Sequence, residues 1–320
     1  MKTLLEFRDT EECVLNEAQL QYLEEKLLMI NQGKKYGQIV FLAGGGGSGK
    51  GFAAKNFMEA DKFKVRDVDE WKRMFLKIAK EKDKHPELQG LDLRNPKDVF
   101  ALHKFVDDRN VKNKTLAALL RDLKPDRLPN IMFDITAKNI KSITKVIPLL
   151  TAVGYDTEDI HLVWVLTNYR IAVERNAGRS RVVPEDILLQ THEGAAKTVY
   201  DAVTKGTLPR KLLDGGIYVI LNNQENTVFW TDSDGNKIKD SKGNPVIKDF
   251  TYLTIKEPRK AISKEKSVNA QLYQWIIQNV PKTKLTSDIF SKVASKSGKK
   301  LTAPQLGKEG GGRLKGKGRS

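Results

Sequence analysis

Cysteine is almost absent from the 320-residue chain: Cys13 stands alone. It has no partner for an intramolecular disulfide, and with His85, His103, His161 and His192 scattered it forms no zinc-ligand spacing. Disulfide scaffolds and structural zinc sites are thereby excluded. Also missing is any apolar run of the roughly 18 to 20 residues that a membrane helix requires, so no membrane partner is expected. The first residues, MKTLLEFRDTEEC, place acidic side chains where a signal peptide carries its apolar stretch, which reads as a cytoplasmic protein. No internal repeat is visible.

Apolar residues make up 39% and charged residues 30%, the balance of a globular chain with a sizeable core. At about 150 residues per domain, the length fits one large domain or two modest ones. Basic residues exceed acidic ones by 56 to 40, and half of the resulting +16 lies at the end: residues 291–320 hold nine basic side chains against Glu309. With seven glycines and few large apolar residues, that tail reads as a flexible basic extension. It is either a solubilising segment or a site of sequence-independent attraction for nucleic acid.

Residues 1–37 read as an N-terminal helical segment, with an amphipathic helix over 16–31. Continuous apolar runs at 38–43, 63–68, 130–135, 160–166 and 217–222 match strands buried on both faces, as in a parallel sheet. Helical patterns fill the intervals: 50–59, a long stretch from 70 to 125, 139–153 closed by Gly154, 168–177, and one opened by Pro184 and running to about 204. Such alternation predicts a three-layer α/β core over 38–222, with a helical insert at 71–125. Over 223–290 the pattern becomes a small antiparallel appendage, with hairpin turns at Asp234-Gly235 and Lys242-Gly243-Asn244, and a last helix at about 267–279.

The sequence GGGGSGKG, Gly44 to Gly51, follows the first strand and opens a helix, the context of a phosphate-binding P-loop. Gly44, Gly45, Gly46, Gly47 and Gly49 let the backbone approach phosphate oxygens, and Lys50 supplies a mobile positive charge. Gly51 stands where Ser or Thr usually provides a magnesium ligand. Ser48 is the remaining hydroxyl in the loop. At the end of the second strand, DVDEWK presents Asp67 and Asp69, either to orient and deprotonate an acceptor hydroxyl or to serve as a turn and a helix N-cap. Asp134, ending the third strand, is placed to hold water on Mg2+. After the fourth strand come Arg170, Arg175, Arg179 and Arg181, cations suited to the charge that spreads over a phosphoryl group in transfer, or plain surface arginines. Trp71 fits a pocket wall or packing, Trp164 the core.

This order of motifs, from the P-loop through DVDEWK, DIT with Lys138 two residues on, LLTAVGYD, the arginine-bearing helix and RVVPED, resembles the zeta-toxin family of P-loop kinases over about residues 38–232. The resemblance implies a P-loop NTPase-type fold and transfer of the γ-phosphoryl group of ATP or GTP, with Mg2+, to a hydroxyl of a small molecule, sugar nucleotide or nucleotide. Relatives acting on polynucleotide 5′ ends make that acceptor an alternative, and a non-catalytic nucleotide-binding protein is a third reading. By resemblance Lys50 matches the P-loop lysine, Asp69 the base, and Asp134 a position usually held by glutamate. Thr136 and Lys138 match substrate-holding residues, with Asp67 beside them. Arg175, or else Arg170, and Arg181 match the phosphate clamp. The resemblance also implies an inhibitory protein partner.

Overall fold

The computed structural model describes residues 36–58, 62–82, 84–209, 211–239, 245–263 and 266–291. The helix expected over 16–31, the turn at Lys242-Gly243-Asn244 and the basic tail beyond Ser291 lie outside these residues. Five parallel strands form the expected sheet: β1 (Ile39–Ala43), β2 (Lys64–Arg66), β3 (Ile131–Ile135), β4 (Ile160–Leu166) and β5 (Ile217–Leu221). Two further strands, β6 (Thr227–Phe229) and β7 (Ile247–Lys256), complete the order β2-β3-β1-β4-β5-β7-β6. The antiparallel C-terminal strands continue the central sheet, because β7 pairs directly with β5.

Helices α1 (Lys50–Phe57), α2 (Val68–Lys82), α3 (Pro96–Asp108), α4 (Val111–Arg121), α5 (Lys141–Thr144), α6 (Ile147–Val153), α7 (Tyr169–Ala177), α8 (Glu185–Lys205) and α9 (Lys266–Asn279) fill the connections. Among the described residues none is long and apolar enough to cross a membrane. The expected 70–125 stretch is three helices, since Pro86, Gly90 and Pro96 interrupt the pattern and Asn110, at φ +51°, turns the chain between α3 and α4. The 139–153 stretch is likewise split in two ahead of Pro148, and Gly154, at φ +115°, stops it.

Successive residues of β1 feed opposite cores, which is why the strand lacks polar alternation. Ile39, Phe41 and Ala43 pack with α6, α8 and α9, whereas Val40 and Leu42 pack with Ala53 and Phe57 of α1 and Phe250 of β7. Trp164 lies in the first of these cores. The insert α2–α4 has its own small core around Leu88, Leu102, Phe105, Val106 and Val111. One backbone hydrogen bond, Val182 N–H to the Leu93 carbonyl at 3.0 Å, joins the insert to the segment before α8.

The strand order also locates a crevice. Strand β1 lies between β3 and β4, the β1–β2 connection runs to one side of it and the β3–β4 connection crosses to the other, and in open α/β sheets ligands bind beyond the carboxyl ends of strands where such connections diverge. Strand β3 separates the end of β2 from the loop after β1, so Asp134 stands between that loop and Asp67.

Candidate active site

The Gly44–Gly51 loop leaves β1 at this crevice and enters α1 at Lys50. Its glycines are required by shape. Gly49 caps α1 in the left-handed region at φ +82°, and a side chain there would overlap the Asn222 amide. Gly47, at φ +71°, faces the Ala172 carbonyl so closely that a Cβ would collide with it. The first turn of α1 has no acidic residue, so the positive end of its dipole is uncompensated, as an anion site needs. A Cβ built on Gly51 would meet open space.

Lys50 Nζ donates to the Gly44 carbonyl at 2.7 Å and lies 3.5 Å from the Asp134 carboxylate. Burial pushes the Asp134 pKa up, with Lys50 opposing and Asp67 and Asp69 adding to it. Ser48 is 1% exposed, and its Oγ has no hydrogen-bond partner. That orphaned oxygen and the Asp134 carboxylate are hard donors of the kind Mg2+ takes. Among the described residues no three His, Cys, Asp or Glu side chains cluster as a metal site.

Asp67 and Asp69 have separate surroundings. Asp67 Oδ1 accepts from the Asp69 N–H at 2.8 Å, capping α2, and Asp67 also meets Arg73 at 3.7 Å. Asp69 is thereby left free of capping and forms a two-pronged ion pair with Arg181, while Lys72 approaches it at 3.1 Å. Burial alone would raise the Asp69 pKa, but the Arg181 hydrogen bonds and the Lys72 and Arg181 charges hold it well below the usual carboxylate range. His103 of the insert shares this field: burial first, then Lys72, lowers its pKa.

Arg175 projects from α7 toward the loop, donating to the Asn222 carbonyl at 3.2 Å and Thr167 Oγ1 at 3.4 Å. Burial lowers its pKa. Arg170 and Arg179 are exposed. Thr136 Oγ1 accepts from Lys138 N–H at 3.5 Å, and Lys138 Nζ reaches Gln190 of α8 at 2.7 Å, so both sit on the loop after β3. Trp71 is partly exposed, at 37%.

Two residues without a motif complete the site. His192 Nε2 donates to the Gly46 carbonyl at 2.7 Å, and burial drives its pKa down to about 4, so the imidazole is neutral. Asn222 Nδ2 donates to the Ser48 carbonyl at 2.8 Å. The one sequence signal for Asn222 is a polar pair directly after an apolar strand. His192 gives none, since it lies inside an unbroken helical pattern.

A glycine-rich anion loop between the central parallel strand and its helix, faced by acids and arginines from neighbouring strand ends, defines the class: a P-loop kinase-type α/β fold. The chain belongs to the zeta-toxin family, whose model, Zeta toxin, matches residues 22–234. A comparison with the curated proteins gave no match. Among solved structures the chain is similar to one from the PezAT chromosomal toxin–antitoxin system of Streptococcus pneumoniae, with 12% identity, 88% of this chain and 96% of the other covered, and a TM-score of 0.40. It is similar to the AvrRxo1-ORF1:-ORF2 complex with ATP at 12% identity, 90% and 85% coverage and a TM-score of 0.41. A third is deoxyadenosine kinase from M. mycoides, with 12% identity, 59% and 90% coverage and a TM-score of 0.30.

Proposed function

We propose that the protein is a P-loop kinase that transfers the γ-phosphoryl group of ATP or GTP to a hydroxyl of a small molecule, sugar nucleotide or nucleotide. The observation that carries this reading is the Asp69–Arg181 ion pair at the same carboxyl end of the parallel strands as the Lys50 loop. A protein that only bound nucleotide would have no use for a deprotonated acid on the acceptor side. In this reading the loop amides and Lys50 bind the donor phosphates, and Arg175 and Arg181 offset charge as it spreads over the moving group. Asp69 orients the acceptor hydroxyl and takes its proton. Thr136 and Lys138 hold the acceptor. Mg2+, held by phosphate with Asp134 and Ser48 beside it, would neutralise charge on the β- and γ-oxygens. The family resemblance adds an inhibitory protein partner, and the reading places the protein in the cytoplasm.

The test is transfer of labelled phosphate from ATP or GTP into a metabolite extract, with hydroxyl-ended oligonucleotides in parallel. Label should enter a small acceptor with the wild-type protein and not with Lys50→Ala. Label in oligonucleotides alone would move the acceptor to nucleic acid, and no transfer to either would overturn the reading.

A further inference from the structure

A buried asparagine amide both donates and accepts, so asparagines in series can pass a position from one element to another. Three do so here. Asn222 holds the Ser48 carbonyl through its side chain, and its own carbonyl accepts from Arg175 and, at 2.6 Å, from Thr167. Next in sequence, Asn223 Oδ1 accepts from the Asn168 N–H at 2.8 Å, and Asn168 is the N-cap of α7, the helix that carries Arg175. Asn223 Nδ2 then donates to Asn279 Oδ1 at 2.9 Å, and Asn279 Nδ2 donates to the Trp275 carbonyl at 2.8 Å. All three are almost wholly buried.

Asn279 ends α9, which lies outside the stretch matched by the family model. The helix is fixed to the core by Leu272, Trp275 and Ile276. The residues after it are fastened to α8: Thr283 donates to Glu193, and Asp288 meets Lys197 at 2.6 Å. Glu193 follows His192, which holds Gly46. The C-terminal segment therefore touches supports on both sides of the phosphate loop.

We propose that α9 is a working part of the phosphate site and that Asn279 is a positioning residue, setting Arg175 through Asn223 and the Asn168 N-cap of α7. The inference rests on the kinase reading above. Its physical basis is the cost of an orphaned buried donor: without Asn279 Oδ1 the Asn223 amide has no partner for its Nδ2, and turning to find one breaks its bond to the Asn168 N–H, which leaves the start of α7 on the weaker 3.3 Å bond from Asn168 Nδ2 to the Gln278 carbonyl.

The test uses the full chain, with equilibrium binding of a fluorescent ATP analogue and transfer rate both measured. Asn279→Ala should weaken binding or slow transfer about ten-fold, the scale of one orphaned buried group. In an Arg175→Ala background the same substitution should add little, because its route is already cut. Wild-type binding and rate in Asn279→Ala would overturn the inference, and so would a full additional loss in the Arg175→Ala background, the mark of a merely structural role. In the unsubstituted protein, nucleotide should slow amide exchange at the end of α9. Unchanged exchange there would overturn the inference without any variant. A wild-type protein that bound no nucleotide would overturn the kinase reading as well, whereas loss of the Asn279 effect with nucleotide binding intact touches only the inference.

Discussion

At Asp69 burial favours the neutral acid while Arg181 and Lys72 favour the carboxylate, and the two cations prevail. The folded-state pKa is thus depressed, so the acid stays deprotonated far below neutral pH. Arg181→Ala removes the larger part of that support, and the acid limb of the rate profile should move to higher pH, together with a loss in rate. Asp69→Asn should lose at least about a hundredfold in rate and show no such limb. Rates measured from pH 9 down to about 3 on the three proteins check both: the wild type should be flat at the acid end, and Arg181→Ala should begin to fall there. The choice between Asp67 and Asp69 was not legible in DVDEWK, because capping depends on where α2 begins. Of the arginines, Arg175 faces the loop and Arg170 does not, since the turn position of each on α7 depends on the Asn168 cap.

Helix α8 shows why a glycine can be worth more than its helix propensity. A Cβ on Gly194 would lie 2.7 Å from the Lys138 carbonyl and 2.9 Å from its Cα, so the helix packs bare against the loop carrying Thr136. Gly194→Ala should therefore destabilise by about 1 to 3 kcal/mol, although alanine is intrinsically the better helix former. Gly51→Ala, with open space around it, should be neutral or stabilising by up to about 1 kcal/mol. Denaturant melts of both variants check this contrast. Strand β4 and helix α8 also bury two neutral imidazoles. The Gly216 N–H donates to His161 Nδ1 at 2.9 Å, so His161 Nε2 carries the hydrogen toward Gln38 at 2.7 Å. Burial lowers the pKa of His161, as of His192, to about 4. Between about 6.5 and 4 the unfolded chain binds more protons, so stability is full above that window and falls as pH drops through it, by up to about 3 kcal/mol for each. Melts from pH 7.5 to 4 should show the decline, reduced in His161→Gln. Strand and helix order was legible because the four buried parallel strands write continuous apolar runs; the run at 63–68, expected to be buried on both faces, is the three-residue edge strand β2, whose Lys64 and Val65 are exposed. The insert read as one helical stretch because amphipathic periodicity persists across its breaks.

Across the molecule, the core, the insert and the C-terminal segment were legible to different degrees. Alternation of elements announces the core, but the sequence pattern of β7 says only that it is a strand, and its partner β5 is a matter of long-range pairing. The same holds for Asn279, 56 residues from the asparagine it supports. Net charge belongs to this scale too. Residues 291–320 carry +8, so any hold on nucleic acid there is electrostatic. Cutting after Ser291 should leave transfer to small acceptors unchanged and flatten the salt dependence of nucleic-acid binding. Both activities measured on the truncated protein at several salt concentrations check it.

The hydrogen bond from Val182 to Leu93 has a thermodynamic consequence. It ties the residue after Arg181 to the insert whose α2 carries Asp69, so the two ligands of the proposed reaction press on a shared piece of backbone. Their binding energies should then be linked: nucleotide should tighten the acceptor by some factor, and reciprocity requires that the acceptor tighten nucleotide by the same factor. Calorimetric titrations in both orders measure the two factors. Inserting two glycines between Leu93 and Pro96 should bring both toward one while each ligand, offered alone, binds as before.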